Sequence, residues 1–201
     1  MTLLKTMRGL GATRDRCRLT RLRTMLAFAL LALLGGTSLW AQSQPTEDDV
    51  KAAYLFNFGK FVRYPADQAS NSFDICLLGH DPVGRLLELN AADERVQDRQ
   101  VRVSQHEKAA DTRGCAIVFL GESEATRIDK DLEALEGSNA LTVSDLPQFV
   151  EHGGMIQFLL RDNRVRFAVN LSPAQRARLA LSSELLKVAV YVSPKPSQGA
   201  P

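Results

Sequence analysis

The chain has 201 residues, with 25 Lys or Arg against 23 Asp or Glu and a formal net charge of +2. That length suffices for one domain with a sizeable core, and the composition is that of an ordinary globular protein. Residues 1–41 carry seven of the basic side chains and a single acid, Asp15, so the rest of the chain stands at −4. With no basic stripe and no interleaved aromatics in that remainder, nucleic-acid binding loses its electrostatic basis.

Residues 1–41 read as a signal peptide. Lys5, Arg8, Arg14, Arg16, Arg18, Arg21 and Arg23 precede the apolar run MLAFALLALL from Met25 to Leu34, which Gly35 and Gly36 end before it can span a bilayer comfortably. Cleavage is expected after Ala41; an uncleaved anchor is the alternative, and Met7 or Met25 are alternative starts. Export places the domain where thiols oxidise in pairs. Cys17 leaves with the leader, and Cys76 and Cys115 are expected to form one disulfide, the alternative being two separate buried thiols.

The stretch VKAAYLFNFGKFVRYP, Val50 to Pro65, predicts an amphipathic helix with Val50, Ala53, Tyr54, Phe58, Phe61 and Val62 on one side and Lys51, Lys60 and Arg63 elsewhere. Thr46 and Asp49 form a capping box, and Pro65 stops the helix. Leu55 and Phe56 fall off the stripe, so this helix either packs on two sides within its own domain or offers one side to a partner. A polar linker then leads to a buried strand, Phe73 to Gly79, and to a helix opened by Asp81 as N-cap and Pro82 at its first position. Strands are expected at Gln100–Val103, Cys115–Leu120 and Asn139–Val143, a solvated amphipathic helix at Glu124–Leu135, and a short helix at Asp145–Val150. Met155–Arg161 and Arg164–Asn170, separated by Asp162 and Asn163, form an antiparallel hairpin. A last helix runs from Ser182 or Ser183 through Val190.

This alternation predicts an α/β fold: a mostly parallel sheet flanked by helices on both faces, with a C-terminal β-hairpin and a final helix. The domain is expected at 46–192 and a disordered tail at 193–201. If the strand order is flavodoxin-like, the strands bearing Cys76 and Cys115 are neighbours.

No catalytic constellation emerges. Gly79-His80-Asp81-Pro82-Val83-Gly84 lies where a phosphate loop would, but Arg85-Leu86 stand in place of the Lys and hydroxyl residue, Pro82 lacks an amide donor and Asp81 repels an anion. His80, His106 and His152 show no zinc-ligand spacing, Ser123 is not in a nucleophile elbow, and Glu122 and Glu124 read as helix-start charges. No metal or cofactor is expected. Gly153-Gly154 reads as a turn, with a bulge or a close backbone approach as alternatives. Lys60, Arg63, Arg164, Arg166, Arg176 and Arg178 are the candidate ligand- or partner-binding residues, for a small anionic ligand or an acidic partner; solvated surface charge is the alternative.

Taken in order, AAYLFNFGKFVRYP, ICLLGHDPVG, IVFLGESE, LTVSD, GGMIQFLLRDNRVRFAVN and SSELLKVA resemble the YfiR family of exported bacterial regulators, over about Asp49 to Val192. The resemblance implies a periplasmic α/β domain, often dimeric, that represses an inner-membrane diguanylate cyclase of the YfiN type by engaging its periplasmic part, and so lowers cyclic di-GMP and biofilm growth. It implies a non-enzyme, and Cys76 and Cys115 match cysteine positions of the family. The sequence departs in lacking a further cysteine pair and in carrying Tyr64 and Ala168 where many members have Trp and an acid. A periplasmic small-ligand sensing module acting on another membrane receptor is the second expectation.

Overall fold

In the computed structural model, which describes residues 44–65, 70–92 and 94–193, Thr46 caps the first helix, α1 (Glu47–Phe61). Asp49 N donates to Thr46 Oγ1 at 3.2 Å and Thr46 N donates to Asp49 Oδ2 at 2.8 Å, the reciprocal box that the sequence predicts. The helix stops at Phe61. Val62–Arg63 (β1) leaves it to pair with Ala180–Leu181 (β9), and Tyr64, placed directly before Pro65, is sterically turned away from helical backbone.

The remaining elements are β2 (Ser72–Leu78), α2 (Pro82–Ala91), β3 (Arg95–Val96), β4 (Arg99–His106), β5 (Ile117–Leu120), α3 (Ile128–Ala134), β6 (Leu141–Ser144), β7 (Ile156–Arg161), β8 (Arg164–Asn170), α4 (Leu171–Arg176), α5 (Ser183–Val188) and β10 (Tyr191–Ser193). The main sheet runs β10-β8-β7-β6-β5-β2-β4-β3. Its centre, β4-β2-β5-β6-β7, is parallel and has the flavodoxin-like order. β8 returns antiparallel through a two-residue turn in which Asp162 and Asn163 have φ of 51° and 56°, the geometry that suits a tight hairpin.

Side chains alternate across the sheet, so β2 builds two cores at once. Phe73, Ile75 and Leu77 join Phe119, Val143, Phe158 and Phe167 beneath α1 and α2. Cys76 and Leu78 join Val118, Leu120, Ile128 and Leu135 on the α3 face. Both faces being covered is why these strands read as unbroken apolar runs. Phe58, fully buried, stacks on Phe158 at 5.7 Å and meets Phe167 edge-on at 5.1 Å, which fastens α1 to the hairpin. Burying such a ring contributes about 2–3 kcal/mol.

Several local expectations are revised. The buried side of α1 is Ala52, Leu55, Phe56, Phe58 and Gly59, while Ala53 and Phe61 are exposed. Contact with both the sheet and α2 selects the residues that fell off the expected stripe. Asp145–Val150 forms turns rather than a helix: Pro147 lacks an amide donor and Gln148 has φ 61°. Residues 122–124 make a 3-10 turn, so α3 begins at Ile128. Cys115 precedes its strand. β3, α4, β9 and β10 were not legible, being too short for a periodic pattern to register. β10 exists because β8 offers it an edge, pairing Tyr191–Ser193 with Ala168–Asn170.

Candidate functional site

The groove between α1 and the hairpin brings the first helix together with two of the candidate cations, Arg164 and Arg166. It measures about 420 Å³ and is lined by Thr46, Glu47, Val50, Tyr54, Leu160, Asn163, Arg164, Val165 and Arg166. Tyr54 stacks on Phe58 at 5.7 Å and contacts Phe167 at 5.5 Å, so its ring is fixed while part of it faces the groove. Leu160 is 57% exposed at the hairpin end. β10 reaches only Ala168–Asn170 and Val190 N donates to Phe167 O, so among the described residues the outer edge of β8 at Arg164–Arg166 has no strand beside it. Two guanidiniums, an aromatic ring, an exposed leucine and an open strand edge together suit a protein segment better than a small molecule.

The six candidate cations do not converge. Arg164 and Arg166 share this groove, Lys60 sits 3.5 Å from Glu94, Arg63 is exposed on β1, and Arg178 is exposed with φ 56°. Arg176 lines a separate cleft of about 400 Å³ beside Asp129, Glu133, His152, Met155 and Pro173, where His152 Nδ1 lies 2.6 Å from Asp129 Oδ1.

At the carboxyl end of the sheet, α2 and α3 leave for opposite faces and open the crevice expected where the strand order reverses. It holds about 390 Å³ between Gly79, His80, Glu107, Lys108, Ser123, Glu124 and Arg127. Its loop amides are already used. His80 N donates to Ser123 Oγ at 2.9 Å and Val83 N to Asp81 Oδ1 at 2.9 Å. Burial, and then the like charge of Asp145, push the Asp81 carboxyl up against the lowering hydrogen bond from Val83 N.

Sequence reasoning missed two charged clusters. Lys51, assigned to the polar side, is 6% exposed and lies 2.6 Å from Asp145 Oδ2 and 2.8 Å from Glu47 Oε1. Burial alone would lower its pKa; the hydrogen bonds to Asp145 and Glu47 outweigh it and hold the ammonium well above its ordinary value. Glu124, read as a solvated helix-start charge, is 2% exposed and bonded by Ser123 and Arg127. Beside it, burial and the Glu124 carboxylate raise Asp131 to about 6. Asp131 Oδ2 is enclosed with no partner among the described residues. A proton on that carboxyl supplies a donor facing Glu124. Cys76 and Cys115 are joined by a disulfide, with Cα atoms 6.0 Å apart.

A family model described as YfiR/HmsC-like matches residues 48–190. The chain belongs to the YfiR/HmsC-like family. YfiR/HmsC-like membership supports a regulatory role on the periplasmic side of the membrane in general terms. Among solved structures, a conserved domain protein from Vibrio cholerae O1 biovar El Tor is similar, with TM-score 0.51 at 11% identity over 73% of this chain. The ABC domain in complex with L-Trp from Streptococcus pneumoniae reaches TM-score 0.49 at 10% identity, also over 73% of this chain. In each case the match spans 60% of the other chain's length, and at these identities the first likeness speaks for the fold alone. No curated protein sequence matches. Among the described residues no helix is long and apolar enough to cross a membrane.

Proposed function

We propose that this YfiR/HmsC-like protein is an exported, non-enzymatic regulator that represses a membrane-bound diguanylate cyclase by engaging its periplasmic part, lowering cyclic di-GMP and biofilm formation. The observation that carries this reading is the family match through residues 48–190. Residues 1–41 serve as the cleaved signal peptide, 46–192 as the regulatory domain and the residues beyond as a tail, save that Ser193, expected in the tail, belongs to β10 and pairs with Asn170; the leader and residues 194–201 lie outside the described residues. The α1–hairpin groove is the surface offered to the cyclase, with Arg164 and Arg166 pairing acidic groups at its rim and Tyr54 and Leu160 supplying apolar contact. The domain works as a homodimer or as a single copy on each cyclase.

The deciding experiment measures cellular cyclic di-GMP in a strain lacking the protein, its parent and a complemented strain. A rise reversed by complementation is expected. No change would overturn repression of a cyclase.

A second reading, a small-ligand sensing module, is favoured by the cleft at Arg176 and His152, where one guanidinium and several carboxylates surround an apolar floor. A thermal-shift screen of small anions and amino acids tests it, and a midpoint that none of them moves would count against it. Both readings hold together if the ligand biases the partner-binding state.

A further inference from the structure

Cys76 and Cys115 have a third neighbour at which their sequence spacing does not hint. β4 pairs with β2 in the register Cys76↔Ser104 and Leu78↔His106, so Ser104 and His106 share the face of the sheet that carries Cys76. One ring nitrogen of His106 and the two sulfurs all lie within 4.8 Å of one another. Ser104 Oγ stands beside them, 2.9 Å from His106 Nε2 and 3.4 Å from Cys76 Sγ. The cysteines are buried and His106 is half-buried, so the imidazole gives the trio its contact with solvent.

We propose that the dithiol form of this protein binds Cu(I) through Cys76 Sγ, Cys115 Sγ and a ring nitrogen of His106. Two thiolates and an imidazole are soft and borderline donors, a set that selects Cu(I) over hard cations. Three converging donors complete a trigonal Cu(I) site, whereas Zn(II) on the same ligands would need a water to complete its tetrahedron.

The site forms when the bridge is open. An external dithiol gives two electrons and two protons to the Cys76–Cys115 bond; that bond breaks to two thiols while the reductant closes its own disulfide. Cu(I) then displaces both thiol protons to solvent, and neutral His106 donates a nitrogen lone pair. A newly exported chain, before its bridge forms, presents the same three ligands. Bound copper ties together residues 39 apart in sequence, as the disulfide does, and so restores part of the constraint lost on reduction.

The test titrates reduced and oxidised protein anaerobically with Cu(I) buffered by bicinchoninate, with Zn(II) in parallel, and follows the thermal midpoint. Expected are one Cu(I) per reduced chain, none per oxidised chain, a higher midpoint for the reduced protein with copper, and uptake weakened by about tenfold or more in His106→Asn. The oxidised midpoint of His106→Asn should stay near that of the parent, separating ligand loss from misfolding. If reduction unfolds the chain, recovery of native circular dichroism on adding Cu(I) supports the site and failure to recover overturns it. No stoichiometric uptake, preference for Zn(II), equal uptake by oxidised protein or uptake indifferent to His106→Asn would each overturn it.

Discussion

Lys51 Nζ and Asp145 Oδ2 lie 2.6 Å apart, a contact between the first turns of α1 and the loop after β6 across 94 residues of sequence. Asp81, partly buried nearby, shares its environment with this pair. The pair therefore fixes the N-terminal end of α1 over the strand ends and sets the groove wall formed by Glu47, Val50 and Tyr54.

Lys51→Met should lower stability by about 2–3 kcal/mol, because it strands the Asp145 carboxylate beside Asp81. Lys51→Met with Asp145→Asn should recover part of that loss. Urea denaturation of the three proteins checks this, and a double variant no better than the single would mean that the charge pair is not the origin.

The disulfide closes a loop of 39 residues, for which chain entropy alone assigns about 4 kcal/mol. Cys76→Ala with Cys115→Ala should lose stability on that scale while leaving repression intact at a temperature where the variant is folded. Denaturation midpoints and cellular cyclic di-GMP, read on the same variant, distinguish a brace from a switch.

Gly153 and Gly154 should respond differently to alanine. Gly153 has φ +103° and open space around it, so Gly153→Ala meets backbone strain of about 1–2 kcal/mol. A Cβ on Gly154 would fall within 2.2 Å of the Phe149 ring, which is fully buried, so Gly154→Ala should be the more damaging by thermal melting. The turn that the sequence suggests and the close approach that it left open are both present, one at each glycine.

Asp131 makes stability depend on pH in the mildly acidic range. Its folded pKa of about 6 exceeds the ordinary 3.8, so the folded chain holds the proton more tightly and this contribution is lost as pH rises from about 4 to 6. Glu124 acts in the opposite sense. Its carboxyl, opposed by burial but held low by Arg127 and Ser123, contributes stability above its ordinary range that is lost as pH falls. Asp131→Asn keeps a donor toward Glu124 and abolishes the first titration. Its advantage over the parent should grow between pH 4.5 and 7.5, to about 3 kcal/mol at most. Parallel melting curves across that range would refute it.

Arg164→Glu with Arg166→Glu reverses charge at an exposed edge without touching the core. Thermal stability should change by less than about 0.5 kcal/mol. Cyclic di-GMP should rise toward the level of the deletion strain. Unchanged repression would move the docking surface elsewhere.

The alternating strands, the Thr46 cap, the Asp81–Pro82 helix start and the Asp162–Asn163 hairpin were legible because each depends on neighbours within a few residues: local hydrogen bonds, fixed φ and side-chain period. The family series was legible for the same reason, being written in contiguous motifs. Other features depend on distant parts of the chain, and tertiary structure alone decided them. Which side of α1 is buried depended on α2 and the sheet together, so Lys51 and Leu55 are buried while Ala53 and Phe61, placed on the expected stripe, are exposed. The Asp131–Glu124 pair, the strand β10 and the approach of His106 to Cys76 arise from strand order and register, which bring residues together across spacings that carry no local signal. Sequence determined the layers and their order of appearance; burial and pairing between remote segments determined which charged groups lost water, and those are the groups whose chemistry can be tested.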